Sequence, residues 1–388
     1  MNVLKDYLNN NFTNFTFEEL NEHFISKFGV YVKNEGNYYH FGYDQVEAKW
    51  SEEVTHHCRG TILQYKNSWK YVCRSFKKFF NHHEEKCPFK YDESFSNIKD
   101  GFLRQKVDGT LINLWYDIVS FVWRVSTTGT ITPTKINDFD FTFQDLFFKL
   151  SKIPLEVLNH NFTYMFELCT PYNRIVTEYK KDSIYLLYVN DNDNGYYQAE
   201  EHNKLKPYCD KISSVSIDIF KSYKDIYDFV EETSKGDLYG KNSEGWILYS
   251  NYEPVAKFKN ETYKVLHSLG AGEPTINVKR CVSLFFVGNL DDVYNNLPEL
   301  AKELVDNISN NFKKHSENIQ NVIEQVKDIE NQKEYALKVK ELIGDSLPFL
   351  SYFFEYKKTK IGFSPWLKTK KQNGYDYNFH NFVDVWKL

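Results

Sequence analysis

The chain has no C-x-x-C pair. Its six cysteines, Cys58, Cys73, Cys87, Cys169, Cys209 and Cys281, are scattered, which offers neither a zinc ribbon nor a disulfide framework and fits free thiols in a reducing compartment. No stretch approaches the roughly 20 apolar residues of a membrane span, and the opening MNVLKDYLNNNFTNF holds no apolar run of signal-peptide length. The expectation is an intracellular, soluble protein. An excess of positive charge is also missing. With a formal net charge of −5, any contact with nucleic acid needs a local basic patch. No internal repeat is visible.

What remains is a chain of 388 residues, 41% hydrophobic and 26% charged, the composition of a globular protein with one large domain or two. Between about residues 58 and 260 the apolar pattern comes in short β-branched and aromatic runs. TILQY, LINLWY, IVSFVWRV, FTYMFEL, IYLLYV, GWILYS and PVAKFK are each bounded by Gly, Asn, Asp or Pro, which predicts strands. DFTFQDLFFKLSKI and SYKDIYDFVEETSK carry helical spacing between them. The fold class expected is α+β with antiparallel sheets. Further on, Leu300, Leu304, Ile308, Phe312, Ile319, Ile323 and Val326 recur as an amphipathic helical stripe, with Gly344 and Pro348 as stop signals. The glycines and proline of LGAGEPTINVK, residues 269–279, read as a linker. Residues 1–268 are therefore expected to form a β-rich domain and 269–388 an all-helical C-terminal domain.

The KVDGT segment at 106–110 is by itself compatible with a solvated turn. Its company changes the reading. Arg59 stands in CRG, Glu167 in FEL, Glu244 in EGWILY, and Lys257 and Lys259 in KFK. Two residues apart on a strand, the last two project from one face. In the order R-G, K-x-D-G, E, E-G, K-x-K, these fragments resemble the nucleotidyltransferase motifs of covalent polynucleotide ligases and mRNA capping enzymes. CRGTILQY, RSFKKFFNHHE, KVDGT, TYMFELCTPYNRIVTEY and EGWILYSNYEPVAKFKNETYKVLHS narrow this to a resemblance to the phage T4-type RNA ligase 1 family. The K-F-F-N and P-x-N-R-I-V elements separate that family from DNA ligases and capping enzymes. The likeness covers roughly residues 38 to 292.

The resemblance implies an antiparallel-sheet, ATP-grasp-like nucleotidyltransferase domain and an ATP-dependent RNA ligase with Mg²⁺ or Mn²⁺ as metal. Its partner would be RNA with 5′-phosphate and 3′-hydroxyl ends, tRNA among the candidates, in RNA repair. Lys106 is the implied nucleophile, forming lysyl-AMP. A free lysine is protonated at neutral pH, so the expectation is that Lys257, Lys259 and the metal lower its pKa. Asp108 would orient the lysine or a metal-bound water, and Gly109 would let backbone approach the nucleotide. Arg59 offers a planar fork for a phosphate or for the RNA end. Tyr43 and Lys78 match positions lining the ATP pocket, and Phe80 is a candidate adenine wall, with Phe79 or core packing as alternatives. Glu167 matches the ribose-contacting carboxylate and Tyr263 a position needed for ligation. Glu244 would hold the metal, and Asp291 and Asp292 resemble the family's metal-binding pair, although adjacent aspartates also suit a helix start.

One departure stands out: the family usually has Lys or Arg where this chain has Thr128. HHC at 56–58 and HHEEKC at 82–87 offer His and Cys, but at no common zinc spacing. Asn173 and Arg174 either bind phosphate or fix the fold. The tail YKKTKIGFSPWLKTKKQNGY alternates lysines with aromatics, which suits single-stranded RNA or a solvated terminus. The competing readings are a non-catalytic RNA-binding protein on the same fold and a capping-type guanylyltransferase or DNA ligase. The last two usually continue with short strands after K-x-K rather than amphipathic helices.

Overall fold

The computed structural model describes residues 2–44, 47–87, 95, 98–235, 244–268, 278, 281–282, 285, 294, 297, 299–344, 349–363 and 366. The chain divides into two compact units, Met1–Tyr263 and Lys264–Leu388.

The first unit starts with two helices that no strand or turn pattern pointed to, α1 (Val3–Asn11) and α2 (Phe17–Phe28). Thr16 and Glu19 close a reciprocal capping box at the start of α2, and Gly29, at φ 64°, ends it in the left-handed region. Leu4, Leu8, Leu20, Phe24 and Phe28 line one face of each helix and pack with Phe41, Leu63 and Trp69. Those partners belong to a meander of β1 (Val30–Glu35), β2 (Tyr38–Tyr43), β3 (Arg59–Tyr65) and β4 (Trp69–Cys73), with the short helix α3 (Glu53–His56) between β2 and β3.

Downstream follow β5 (Phe80–Asn81), β6 (Phe102–Lys106), β7 (Thr110–Asp117), β8 (Val122–Ser126), α4 (Phe143–Leu150), β9 (Phe162–Cys169), β10 (Ser183–Asp191), α5 (Ala199–Leu205), β11 (Ser214–Ser216), α6 (Tyr223–Lys235), β12 (Gly245–Ser250) and β13 (Glu253–Lys259). They build two further sheets, ordered β10-β9-β7-β8 and β11-β6-β12-β13-β5. Pairing is antiparallel except between β13 and β5, so the expected α+β class with antiparallel sheets is what forms.

Strand period decides what each sheet shows to the other. On β12, Trp246 and Leu248 pack with Ala256 and Phe258 of β13 and with Ile226 and Val230 of α6. Ile247 and Tyr249, on the alternate face, pack with Leu111 of β7, Met165 of β9, and Phe76 and Phe79. The outer face of β9, with Tyr164, Phe166 and Leu168, is buried with Leu146 and Phe147 of α4. Two sheets thus face each other across a shared apolar layer, and residues in phase with Ile247, Leu111 and Met165 point into it.

One expected strand is divided differently. IVSFVWRV was read as a continuous run, yet Ile118 to Phe121 form the tip of the β7–β8 hairpin. Asp117 accepts the Val119 and Ser120 amides at 2.8 and 3.2 Å, and Phe121 takes φ 58°. Local carboxylate-to-amide bonding outcompetes β propensity here.

The second unit is helical over its described residues: α7 (Glu261–Ser268), which spans the division between the units, then α8 (Glu299–Val326), α9 (Gln332–Leu342) and α10 (Leu350–Thr359). Ile308, Ile319, Ile323 and Val326 of the predicted stripe are buried, joined by Ala301, Val305 and Val322, while Leu304 and Phe312 are half-buried. Asn331 caps α9 through the Lys333 and Glu334 amides, and Gly344, at φ 51°, follows its end. The 269–279 stretch, Val278 aside, and Pro348 lie outside the described residues. No helix among the described residues is long and apolar enough to cross a membrane.

Candidate active site

The register of three strands assembles the centre. Lys106, the last residue of β6, pairs with Gly245 of β12, and Gly245 pairs with Lys259 of β13. Glu244 precedes Gly245 and so enters between two lysines. Its Oε2 accepts from Lys106 Nζ, and its Oε1 accepts from Lys259 Nζ at 2.7 Å. A side chain on Gly245 is impossible here: its φ is 140° and an added Cβ would lie 2.0 Å from the Phe258 carbonyl oxygen. Lys257, two residues before Lys259, shares its strand face.

Burial by itself would pull the Lys106 ammonium down, but Glu244, Glu167 and Asp108 outweigh it and hold the lysine above its ordinary range. Burial likewise opposes ionisation of Glu244, and Lys106 and Lys259 overcome it to keep the carboxylate low. The expectation that cations depress Lys106 is therefore not met in the free protein, because a carboxylate in contact exceeds cations further away. The depressed lysine is Lys257. Burial, then Arg59, Lys106, Lys78 and Lys259, bring it down to about 6. Lys257 has no ion pair among the described residues, and its Nζ lies 5.0 Å from the centre of the Phe79 ring.

Glu167 reaches the cleft from β9 in the facing sheet. Its Oε1 accepts the Gly109 amide at 3.1 Å. Burial, only partly offset by Lys106 and reinforced by Glu244, pushes its carboxyl up to about 7. Gly109 is required for another reason than the one expected. An added Cβ would stand 2.5 Å from the Leu168 carbonyl oxygen and 2.8 Å from Cys169 Sγ, so the close approach is to β9. Asp108 also differs from its expected role. Its Oδ2 accepts the Val176 and Thr177 amides at 3.0 and 2.7 Å and its Oδ1 accepts the Tyr263 hydroxyl at 2.7 Å. The carboxylate thus ties the N-R-I-V segment and Tyr263 to the KVDG turn and acts on Lys106 through its charge rather than by contact, and Lys259 Nζ lies 5.2 Å from the Tyr263 ring centre.

Arg59 opens β3 with its guanidinium 5.7 Å from the centre of the Phe79 ring, and its buried Nη1 has no hydrogen-bond partner among the described residues. An unpaired buried guanidinium nitrogen is costly unless an anion arrives. Arg59, Phe79, Lys106, Glu167, Ile247 and Tyr249 line one cavity between the sheets. Phe80 does not reach it, which corrects its reading as an adenine wall. The one-residue offset turns Phe80 to the other side, into the core with Ala256 and Trp246, while Phe79 takes the cavity side. Tyr43, Trp50 and Phe80 instead surround Lys78, whose Nζ is 5.4, 4.6 and 5.3 Å from their ring centres.

Thr128 lies beside this centre: a Cβ on Gly60 would be 2.7 Å from Thr128 Cα. A cation does reach the turn it belongs to, since Lys33 Nζ donates to the Gly129 carbonyl at 2.7 Å. Asn173 donates to Thr110 Oγ1 at 2.9 Å and Arg174 to the Val176 carbonyl at 2.9 Å, so both hold the loop. Asp291 and Asp292 lie outside the described residues, and among the described ones no three His, Cys, Asp or Glu side chains form a metal cluster. Sequence reasoning offered Phe79 only as an alternative to Phe80 and passed over Ile247, Tyr249 and Arg104 as lining residues. Strand period counted back from Lys106 was the signal for Arg104.

Residues 57–264 match the family model described as RNA ligase, of the T4 RNA ligase 1 type. This chain belongs to that RNA ligase family. An RNA ligase of Rhodothermus phage RM378 is 26% identical over 340 residues, 74% of this chain and 76% of that protein. A protein of Autographa californica nuclear polyhedrosis virus, named as a bifunctional polynucleotide kinase/RNA ligase, is 28% identical over 311 residues; the match takes in 72% of this chain but only 41% of that longer protein. An archaeal ATP-dependent RNA ligase of known structure aligns with 87% of this chain and 80% of its own at 9% identity and a TM-score of 0.41, too distant to bear on the reaction. The family match spans Arg59, Lys78, Lys106, Glu167, Glu244, Lys257, Lys259 and Tyr263.

Lys257 gives this ligase-family protein a measurable signature. Between about 6 and the ordinary lysine range, the folded chain binds fewer protons at Lys257 than the unfolded chain does. Stability on this account rises with pH through that window. Lys257→Met is expected to stabilise the unliganded protein by on the order of 2 kcal/mol near pH 6 to 7, with the gain shrinking toward pH 9. Thermal denaturation of both proteins across that range checks it; an unchanged or lower melting temperature at pH 6 contradicts a desolvated, unpaired Lys257.

Proposed function

We propose that this chain is an ATP-dependent RNA ligase working through a covalent lysyl-AMP on Lys106, in the repair of broken RNA, with tRNA among its candidate substrates. The observation that carries the reading is that Arg59, Lys106 and Glu167 line one cavity, with Glu244 paired to Lys106 and Lys259, and Lys257 over the Phe79 ring of the same lining, from strands up to 200 residues apart.

In the first step the Lys106 amine attacks the α-phosphorus of ATP. A P–N bond forms, the P–O bond to the β-phosphate breaks, and pyrophosphate leaves. Arg59, Lys257 and Lys259 face the charge that builds on the phosphate oxygens. Phosphate brought to Lys257 restores its proton, and Glu167 suits the ribose hydroxyls. In the second step an RNA 5′-phosphate oxygen attacks the same phosphorus, the P–N bond breaks and Lys106 leaves. In the third, an RNA 3′-hydroxyl attacks the 5′-phosphorus and gives up its proton to solvent; a P–O bond forms, the phosphoanhydride P–O bond to AMP breaks, and AMP leaves with that electron pair.

Glu244 fits a Mg²⁺ or Mn²⁺ ion that draws its other ligands from water and phosphate, since such an ion needs only one or two carboxylates. When bound, it would supply charge neutralisation at the phosphates. On the protein's side, engagement of Glu244 there removes the partner that keeps Lys106 protonated.

Incubation with α-labelled ATP and Mg²⁺, followed by a denaturing gel, tests the proposal. The expected result is a covalent label with ATP and none with GTP. Absence of label supports the non-catalytic RNA-binding reading, and label from GTP supports a capping-type enzyme.

A further inference from the structure

The first unit has a second depression, of about 430 Å³, whose lining includes Arg104, Leu186, His202, Lys206, Pro207 and Lys211. Arg104 lies two residues before Lys106 on β6 and lines both this depression and the cavity at the reaction centre. Its guanidinium rests 5.1 and 4.9 Å from the ring centres of Phe102 and Tyr249, and one nitrogen donates to the Leu187 carbonyl at 2.8 Å. The Nε is buried without a partner, and no carboxylate pairs with Arg104 among the described residues.

His202 adds an independent signal. It is 2% exposed, and its Nδ1 is buried with no hydrogen-bond partner among the described residues. Burial, then Arg104 and Lys206, hold the ring neutral by bringing it down to about 3. Lys206 and Lys211 are exposed and make no ion pair among the described residues. The one acid in the lining is Asp210, whose Oδ2 accepts the Ile184 amide at 2.8 Å. Three unpaired cations, one partly engaged carboxylate and apolar walls suit an anion with an apolar body.

We infer that this depression binds a nucleotide of the RNA strand being joined. Its phosphate would lie against Arg104, Lys206 and Lys211, and its sugar and base against Leu186 and Pro207. The neutral His202 ring offers Nδ1 to a ribose hydroxyl or base edge as donor or acceptor, according to tautomer. The inference rests on the RNA ligase reading and extends it to how the strand is held. Through Arg104, a strand bound here would end beside the reaction centre.

The test compares the full chain with the double variant Lys206→Gln/Lys211→Gln, both positions exposed and without an ion pair among the described residues. Binding of a short 5′-phosphorylated single-stranded oligoribonucleotide is measured across a salt series, with free AMP as a second probe. Expected are a roughly tenfold loss of RNA affinity, a logarithmic salt slope shallower by about 1.4, unchanged AMP affinity and unchanged covalent labelling by ATP. RNA affinity and slope equal to the parent's would overturn the inference. So would AMP affinity falling as far as RNA affinity, which would make the depression a free-nucleotide site. A parent protein that takes no label would count against the lysyl-AMP reading alone, since the RNA comparison does not use it.

Discussion

Lys106→Ala is expected to form no covalent adduct with α-labelled ATP and to lose joining of 5′-phosphorylated RNA entirely, while still folding. The loss is total because a covalent intermediate has no bypass once its nucleophile is gone. The sharpest competitor lies within the same cleft. Lys257, at about 6, is largely neutral at pH 7 in the free protein, whereas Lys106 is held charged by Glu244. Free-protein basicity alone would nominate Lys257. On the proposed reaction ATP would reverse that order, since phosphates re-protonate a lysine with no carboxylate partner among the described residues, and Lys106 needs only to lose Glu244. Peptide mapping of the labelled parent should therefore place AMP on Lys106. Label persisting in Lys106→Ala, or mapped to Lys257, would sink the assignment. Folding of the variant is secured by Lys259, which keeps Glu244 paired at 2.7 Å.

Glu244→Ala carries the second large effect, on stability and reaction together. Glu244 is 4% exposed and paired to two ammonium groups, with Arg59 and Lys257 close enough to act on one another. Removing the carboxylate takes away the one in contact with two of these cations, a loss of about 3–5 kcal/mol, at roughly 2–4 °C of melting temperature per kcal/mol for a unit of this size. The sign of the pH dependence follows from both partners. Glu244 is held low, so its contribution is present above the ordinary carboxylate range and is lost as pH falls through its folded value. Lys106 is held high, so its contribution is present below the ordinary lysine range and disappears at pH above it. The gap between parent and variant should be widest from about pH 6 to 9 and should close in acid. Covalent labelling should be lost as well. A gap that persists at pH 3 would mean the residue acts by packing rather than charge. An excess of ATP should narrow the gap at neutral pH, because its phosphates supply the missing negative charge.

Much of this molecule could be read before any coordinates. Strand period alone put Lys257 and Lys259 on one face, and the ordered blocks from Arg59 to Lys259 carried the family. The helical character of the second unit was visible in the spacing of Ile308, Ile319, Ile323 and Val326, because amphipathic periodicity is a local property of the chain. The helices α1 and α2 were not foreseen, although Thr16 and Glu19 had the spacing of a capping box. The tip at Ile118 to Phe121 was lost in an apolar run, because a single side chain, Asp117, determines that turn.

Partner choice across the cleft was decided only by tertiary structure. No count of charges along the chain distinguishes a lysine beside two lysines from a lysine beside a glutamate. The register Lys106–Gly245–Lys259 makes that distinction by threading Glu244 between two strands, so Lys106 and Lys257 take opposite electrostatic fates within one sheet. Phe79 and Phe80 show the same dependence: adjacent in sequence, they face different cores because β5 joins the sheet beside β13. The sequence determined the family and the fold class, which depend on residue type and order. Which lysine holds its proton, which phenylalanine meets the cavity and where Arg104 points depend on distances of a few ångströms between strands far apart in the chain, and Coulomb energy varies steeply over such distances.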